Sequence, residues 1–203
     1  DYNIFAGANP MDSIAASDWV GLKWFERLFS SSQFPVVLRN TLVINSLKIL
    51  FLFPIPIIAA ILLNEINSHL YKKTLTTAIY IPYFFSWVVI YGIFYSLLGS
   101  YGVVNTILSS LGLSRVQFFT DQSVFRGVLI FTEGWKEIGY NTIIYLAAIT
   151  TIDSTLYEAA RIDGASKIQQ VWHITLPGLL PTIVLMLILK VGYILDTGFE
   201  QVL

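Results

Sequence analysis

Residues 41–63 read T-L-V-I-N-S-L-K-I-L-F-L-F-P-I-P-I-I-A-A-I-L-L, with Lys48 as the one charge in the run. A helix crossing a hydrocarbon core of about 30 Å needs roughly 20 mostly apolar residues, and this stretch supplies them. Three more runs have the same character. Thr74–Leu98 carries no charge. Ile138–Ile152 is uncharged and continues back through Trp135 to Gly127, interrupted by Glu133, Lys136 and Glu137. Leu179–Leu195 carries Lys190 alone. Lipid offers backbone N–H and C=O groups no partner, so each run predicts an α-helix. The runs are too long and too continuous for the alternating strands of a barrel. The expected fold class is therefore all-α, a polytopic transmembrane helix bundle with about four spanning helices.

Composition narrows the function. Of 203 residues, 55% are hydrophobic and 12% charged, and the mean hydropathy is +0.68. A soluble domain carries about 25% charged residues, so neither a water-soluble fold nor a disordered chain fits. A net charge of -1 gives nucleic acid no reason to bind. Without cysteine there is no disulfide, thiolate metal site or cysteine nucleophile. The two histidines, His69 and His173, stand outside any H-E-x-x-H pattern, and no G-x-S-x-G occurs, so neither a metal site nor an intramembrane hydrolase is expected. The chain contains no G-x-x-x-x-G-K-[ST], so ATP is not held here by a P-loop.

Between the apolar runs lie polar stretches 1–36, 64–73, 99–123 and 153–178. Pro54 and Pro56 fall within the first run, Pro82 near the start of the second, and Pro177 and Pro181 at the start of the fourth, where each removes a hydrogen bond and bends a helix. Basic residues do not decide orientation. Lys72, Lys73, Arg161 and Lys167 on one side balance Lys23, Arg27, Arg39 and Arg115 on the other. The adjacent Lys72-Lys73 pair favours a cytoplasmic 64–73, which makes 153–178 cytoplasmic too. No signal peptide precedes the first run, and both ends read as cut, as in a fragment of a longer chain.

Residues 153–177 read D-S-T-L-Y-E-A-A-R-I-D-G-A-S-K-I-Q-Q-V-W-H-I-T-L-P. Thr155 and Glu158 form a capping box, with Asp153 as a rival N-cap. Gly164 suits a left-handed residue ending that helix. A second helical stretch, Ser166–Ile174, is expected to stop at Leu176-Pro177, where proline opens the next helix.

Glu158-Ala159-Ala160, three residues, Gly164, nine residues, then Ile174-x-Leu176-Pro177 matches E-A-A-x3-G-x9-I-x-L-P at every fixed position. The segment resembles the EAA loop of the membrane subunits of type I ABC importers, the binding-protein-dependent permeases. Further stretches, among them Tyr80-Ile81-Pro82, Ile144–Ile149, Trp172–Gly178 and Gly198–Gln201, are similar to the bacterial permeases for oligosaccharides and fragments of plant or algal polysaccharides. The resemblance implies a six-helix core, of which the four runs are the second to fifth helices. Residues 1–36 are then extracytoplasmic, and 37–203 form the permease transmembrane domain with its cytoplasmic coupling loop at 153–178. Partners are implied too: two ATPase subunits that hold the ATP and Mg, a second and different permease subunit, and an extracytoplasmic substrate-binding protein, with a carbohydrate as cargo. The resemblance also implies no cofactor in this chain itself and no enzyme activity, the ATP hydrolysis being expected in a separate subunit. The location it implies is among lipid, as a multi-pass protein of the bacterial cytoplasmic (inner) membrane.

Carried over by position, Glu158 meets a polar or basic group of the ATPase, Ala159 and Ala160 pack into its cleft, and Gly164 sets the turn. Asp163 caps or pairs locally, with Arg161 as its candidate partner, while Ile174, Leu176 and Pro177 lead into the next span. Polar groups within spans are functional by default, which makes Lys48 and Lys190 candidates for the substrate path or for pairing with an acid elsewhere. Glu133 and Lys136 are i,i+3 neighbours. The rival reading is an ion-coupled carrier or channel, which would work through buried carboxylates; none lies in Thr41–Leu63 or Thr74–Leu98.

Overall fold

The structure, a computed structural model, describes residues 10–15, 17 and 19–194. Residues 1–9 of the N-terminal polar stretch and Leu195 of the fourth run lie outside the described residues. The described chain is helical, without a strand, and divides into two compact units, 1–41 and 42–203. The first unit holds α1 (Pro10–Ala15), α2 (Lys23–Phe29) and the start of α3 (Gln33–Leu52). Within α2, Lys23 and Arg27 both lie over the Trp24 ring, at 5.3 and 5.5 Å.

The second unit begins within α3. The ladder reaches Phe53, whose N–H bonds the Ile49 carbonyl at 3.2 Å, and loses a rung at Pro54, which has no N–H and opens α4 (Pro54–Asn64). Phe53 keeps helical dihedrals, so Gln33–Asn64 still serves as one membrane-length stretch, longer than the sequence suggests.

The second expected span is not one helix. α5 (His69–Tyr80) runs into a 3₁₀ turn at Ile81–Phe84 containing Pro82, and Phe85 is extended. Ser86 then caps α6 (Trp87–Leu98) by accepting from the Val89 N–H at 3.4 Å. Proline removes a rung of the ladder and serine restarts it, so the run 74–98 breaks where its hydropathy does not change. α7 (Val103–Ser110) follows. Its fully buried Asn105 donates to the carbonyls of Gly99 (3.0 Å) and Val116 (2.9 Å) and accepts from the Val116 N–H (2.8 Å), cross-bracing 99–116.

α8 (Gln122–Ile149) is the axis of this unit. It packs on α4, α5, the 3₁₀ turn and the last helix. Lipid is as apolar as leucine, so packing in a membrane relies on close backbone approach through small residues. Gly139 provides it: a Cβ there would stand 1.9 Å from the Ile79 carbonyl oxygen. Ala60, Tyr145, Ile149 and Leu179 form the buried core where α4, α8 and the last helix meet.

The polar segment after α8 forms α9 (Ser154–Ile162) and α10 (Lys167–Gln170), then a π turn at Val171–Thr175 that continues into α11 (Leu176–Gly192). The expected stop at Leu176-Pro177 does not occur. Lys167–Gly192 is one membrane-length stretch, because the π turn re-registers the backbone immediately before Pro177. Gln33–Asn64, Trp87–Ser110 and Lys167–Gly192 are the described stretches long and apolar enough to cross a membrane. α8, at 28 residues, has the length, but Glu133, Lys136 and Glu137 interrupt its apolar character.

Candidate functional site

Two places in the second unit gather the residues singled out from sequence. The first is the loop 153–178. Asp153, rather than Thr155, is the N-cap of α9: its carboxylate accepts from the Thr155 N–H at 2.9 Å. That bond to a backbone N–H holds the Asp153 carboxyl below its ordinary range. The capping box sits one helix later, where Ser166 accepts from the Gln169 N–H and the Gln169 side chain accepts from the Ser166 N–H at 2.7 Å. α9 ends on Gly164 with φ +78°, as expected. The Ala165 N–H reaches the Ala160 carbonyl (2.8 Å) and the Gly164 N–H the Arg161 carbonyl (3.1 Å), the paired bonds of a Schellman end.

Glu158, Ala159, Arg161 and Asp163 are exposed and Ala160 is half-buried. Among the described residues no ion pair joins Arg161 to Asp163; Asp163 is the C-cap, its backbone N–H bonded to the Ala159 carbonyl at 3.0 Å. Leu156 and Ile162 are exposed on α9, Ile162 at 87%, and Ile168 and Trp172 follow on the next stretch. Ile174 and Leu176 are half-buried and Pro177 exposed, all at the base of α11. The motif thus divides between a protruding helix and the root of a span. Lys167 pairs with Glu65 at 2.6 Å, which sets 64–73 and 153–178 at the same end of the unit.

The second place lies inside the helices. Lys48 from α3 and Lys190 from α11 both pair with Glu133 of α8, Lys190 at 2.8 Å. Side-chain exposure is 5% for Lys48, 11% for Glu133 and 40% for Lys190. At 1.5 Å per residue, Lys48 stands about 24 Å from the end of α4, Glu133 about 24 Å from the end of α8 and Lys190 about 21 Å from the start of α11. The three charges therefore share one depth. Glu133 does not pair with Lys136. Lys136 instead donates to the carbonyls of Tyr83 (2.9 Å) and Phe85 (2.6 Å), the groups freed where the second run breaks, and lies over the rings of Tyr83 and Trp87. Glu133, Glu137 and Asn141, four residues apart on α8, line a pocket with Lys190, Tyr145 and Met186. Glu137 already stands out as a charge interrupting the third run; for the uncharged Asn141 the signal in the sequence is its i, i+4 spacing from Glu137.

A polar face buried among apolar helices, joined to a protruding short-helix loop, defines a membrane-transport domain. The chain belongs to the family described as binding-protein-dependent transport system inner membrane component, which matches residues 52–199. It is 45% identical over 199 residues to the polygalacturonan/rhamnogalacturonan transport system permease protein YteP of Bacillus subtilis (strain 168), a match covering 98% of this chain and 62% of that protein. It is 42% identical to the protein LplB of the same organism, over 98% of this chain and 63% of that one. A crystal structure of a bacterial ABC transporter involved in the import of the acidic polysaccharide alginate superposes with a TM-score of 0.86 at 44% identity, covering 91% of this chain and 65% of that chain. This chain thus spans under two thirds of the length of these relatives.

Proposed function

We propose that this chain is the membrane-spanning permease part of an ATP-driven ABC importer in the bacterial inner membrane. It forms the path for an oligosaccharide and couples to a separate ATPase through 153–178. The observation that carries the reading is the protruding α9, whose exposed Leu156, Glu158, Ala159 and Ile162 have no covering element among the described residues. A short capped helix with small and apolar residues outward fits a cleft on a partner, and its left-handed Gly164 ends it sharply. ATP and Mg belong to the two partner ATPase subunits, so this chain performs no hydrolysis itself. A different second permease subunit and an extracytoplasmic binding protein complete the assembly. A relative of known structure is described in complex with an alginate pentasaccharide-bound periplasmic protein.

For the cargo, the substrates named for the relatives, polygalacturonan and alginate, favour an acidic oligosaccharide. Lys190, the partly exposed ammonium of the cluster, is then the group that meets its carboxylates, and Lys48 stays buried as the partner of Glu133.

The test is capture of the full-length protein with the ATPase subunit of its host. Wild type should retain the ATPase, and Glu158→Lys and Ala160→Trp should lose it. Gly164→Val should remain in the membrane but lose uptake, since a β-branched residue is strongly disfavoured at φ +78°. Retention of no ATPase by wild type would favour an ion-coupled carrier instead.

A further inference from the structure

α9 hangs on the rest of the unit by little. It is exposed along most of its length, and its C-terminal connection passes through the glycine turn at Gly164. A lever attached only by such a turn would pivot without moving the span behind it. The side chains at its base close that gap. The Tyr157 hydroxyl lies 3.0 Å from Thr175 Oγ1, and the Thr175 hydroxyl points to the Gln170 carbonyl at 3.5 Å. Since Thr175 has one proton, donating it to Gln170 leaves its oxygen to accept from Tyr157. Gln170 in turn donates from Nε2 to the Ala165 carbonyl, just past the Schellman end of α9, at 2.9 Å. The bonds make a closed ring: α9, Tyr157, Thr175, Gln170, Ala165, and back to α9.

Two features mark the ring as more than local packing. Gln170 and Thr175 are both buried while α9 above them is exposed, so these bonds are shielded from competing water. They also bracket the π turn Val171–Thr175, a backbone irregularity that recurs at functional sites. Beyond that turn α11 runs unbroken to Lys190, so a displacement entering at Thr175 is carried along a helix to the charged cluster.

We propose that Tyr157 and Thr175 are positioning residues for transport, locking α9 to the root of α11 so that movement of α9 moves the span. The proposal rests on the reading of 153–178 as the ATPase-coupling loop. The ring touches neither ATP nor cargo and leaves the outer face of α9 unchanged.

The experiment uses the full-length permease assembled with its partner subunits in proteoliposomes, measuring ATPase retention, ATP hydrolysis and oligosaccharide uptake separately. Tyr157→Phe and Thr175→Val should each retain the ATPase and its hydrolysis, while uptake per ATP falls about fivefold in Tyr157→Phe, the worth of one neutral hydrogen bond of about 1 kcal/mol, and at least as far in Thr175→Val, which also loses the bond to the Gln170 carbonyl. Thr175→Ser, which keeps the hydroxyl, should restore the wild-type ratio. The double variant Tyr157→Phe/Thr175→Val should be no worse than Thr175→Val alone, which already removes the bond from Tyr157. An unchanged uptake-to-ATP ratio in Tyr157→Phe overturns the proposal, as do independent, additive losses. A Thr175→Ser variant as poor as Thr175→Val would assign the effect to packing and overturn it too. Should wild type itself hold no ATPase, the coupling reading fails first and the proposal falls with it, an outcome visible before any variant is compared.

Discussion

Glu133 holds two ammonium groups that come from helices far apart in sequence, and that makes it the costliest single side chain to lose. Removing one partner of a buried ion pair leaves an uncompensated charge, a loss of about 3–5 kcal/mol. Glu133→Ala should therefore lower thermal stability by an amount near that range, read as a large drop in melting temperature of the full-length protein in detergent. Lys190→Met should cost far less, because 40% of its side chain is exposed and screened. Equal losses in the two variants would contradict this picture of Glu133 as the hub. At the other site, Asp153 shows the pH side of the same chemistry. Its bond to the Thr155 N–H lowers its folded-state value below the ordinary 3.8. A depressed carboxyl stabilises above its unfolded value and loses that contribution as pH falls through the folded one. α9 should thus fray below about pH 4. In Asp153→Asn, which still caps but does not titrate, that acid step should vanish from hydrogen exchange of the α9 amides.

At the scale of elements, close approach decides which glycines matter. A Cβ on Gly139 would collide with backbone at Ile79, whereas one on Gly127 meets nothing within 4 Å. Gly139→Ala should prevent α5 from seating on α8 and abolish accumulation of folded protein in the membrane. Gly127→Ala should leave accumulation unchanged or raise it slightly, by the helix propensity gained. Comparable yields from the two would mean that α5 and α8 do not touch at Gly139. Much of this level was legible beforehand. Apolar length announced the helices, Gly164 announced its left-handed turn, and the spacing from Glu158 to Pro177 announced the loop. The break at Ile81–Ser86 was not, since hydropathy there is uniform and the carbonyls it frees are satisfied by Lys136, more than 50 residues away. The pairing of Lys48 and Lys190 through Glu133 was hidden for the same reason. Sequence shows that a charge in a span needs a partner, but the partner is chosen by packing. The unbroken passage through Pro177 is not legible either, since a proline in sequence signals a stop, whereas a π turn placed before it lets the helix continue.

Over the whole molecule, the arrangement of ends follows from one exposed contact. The Glu65–Lys167 pair is worth little energy, at most about 1 kcal/mol for an exposed ion pair, but its geometry places 64–73 beside 153–178. Between them the chain leaves along α5 to α7 and comes back along α8, so Ser110, near the end of α7, belongs to the opposite end. Ser68, Ser166 and Ser110 are all exposed, and the chain has no native cysteine, so single cysteines at these positions report sidedness without interference. In vesicles of known orientation, Ser68→Cys and Ser166→Cys should react with an impermeant thiol reagent from the same face. Ser110→Cys should react from the other. The positive-inside count is balanced and leaves the absolute face to the Lys72-Lys73 pair, which favours the cytoplasm for the shared face of Ser68 and Ser166. The experiment separates the two parts of that argument. Reaction of Ser68→Cys and Ser166→Cys from opposite faces would contradict the Glu65–Lys167 contact and the fold with it. Reaction of both from the outer face would keep the fold, invert the topology, and remove the protruding α9 from the reach of any cytoplasmic ATPase.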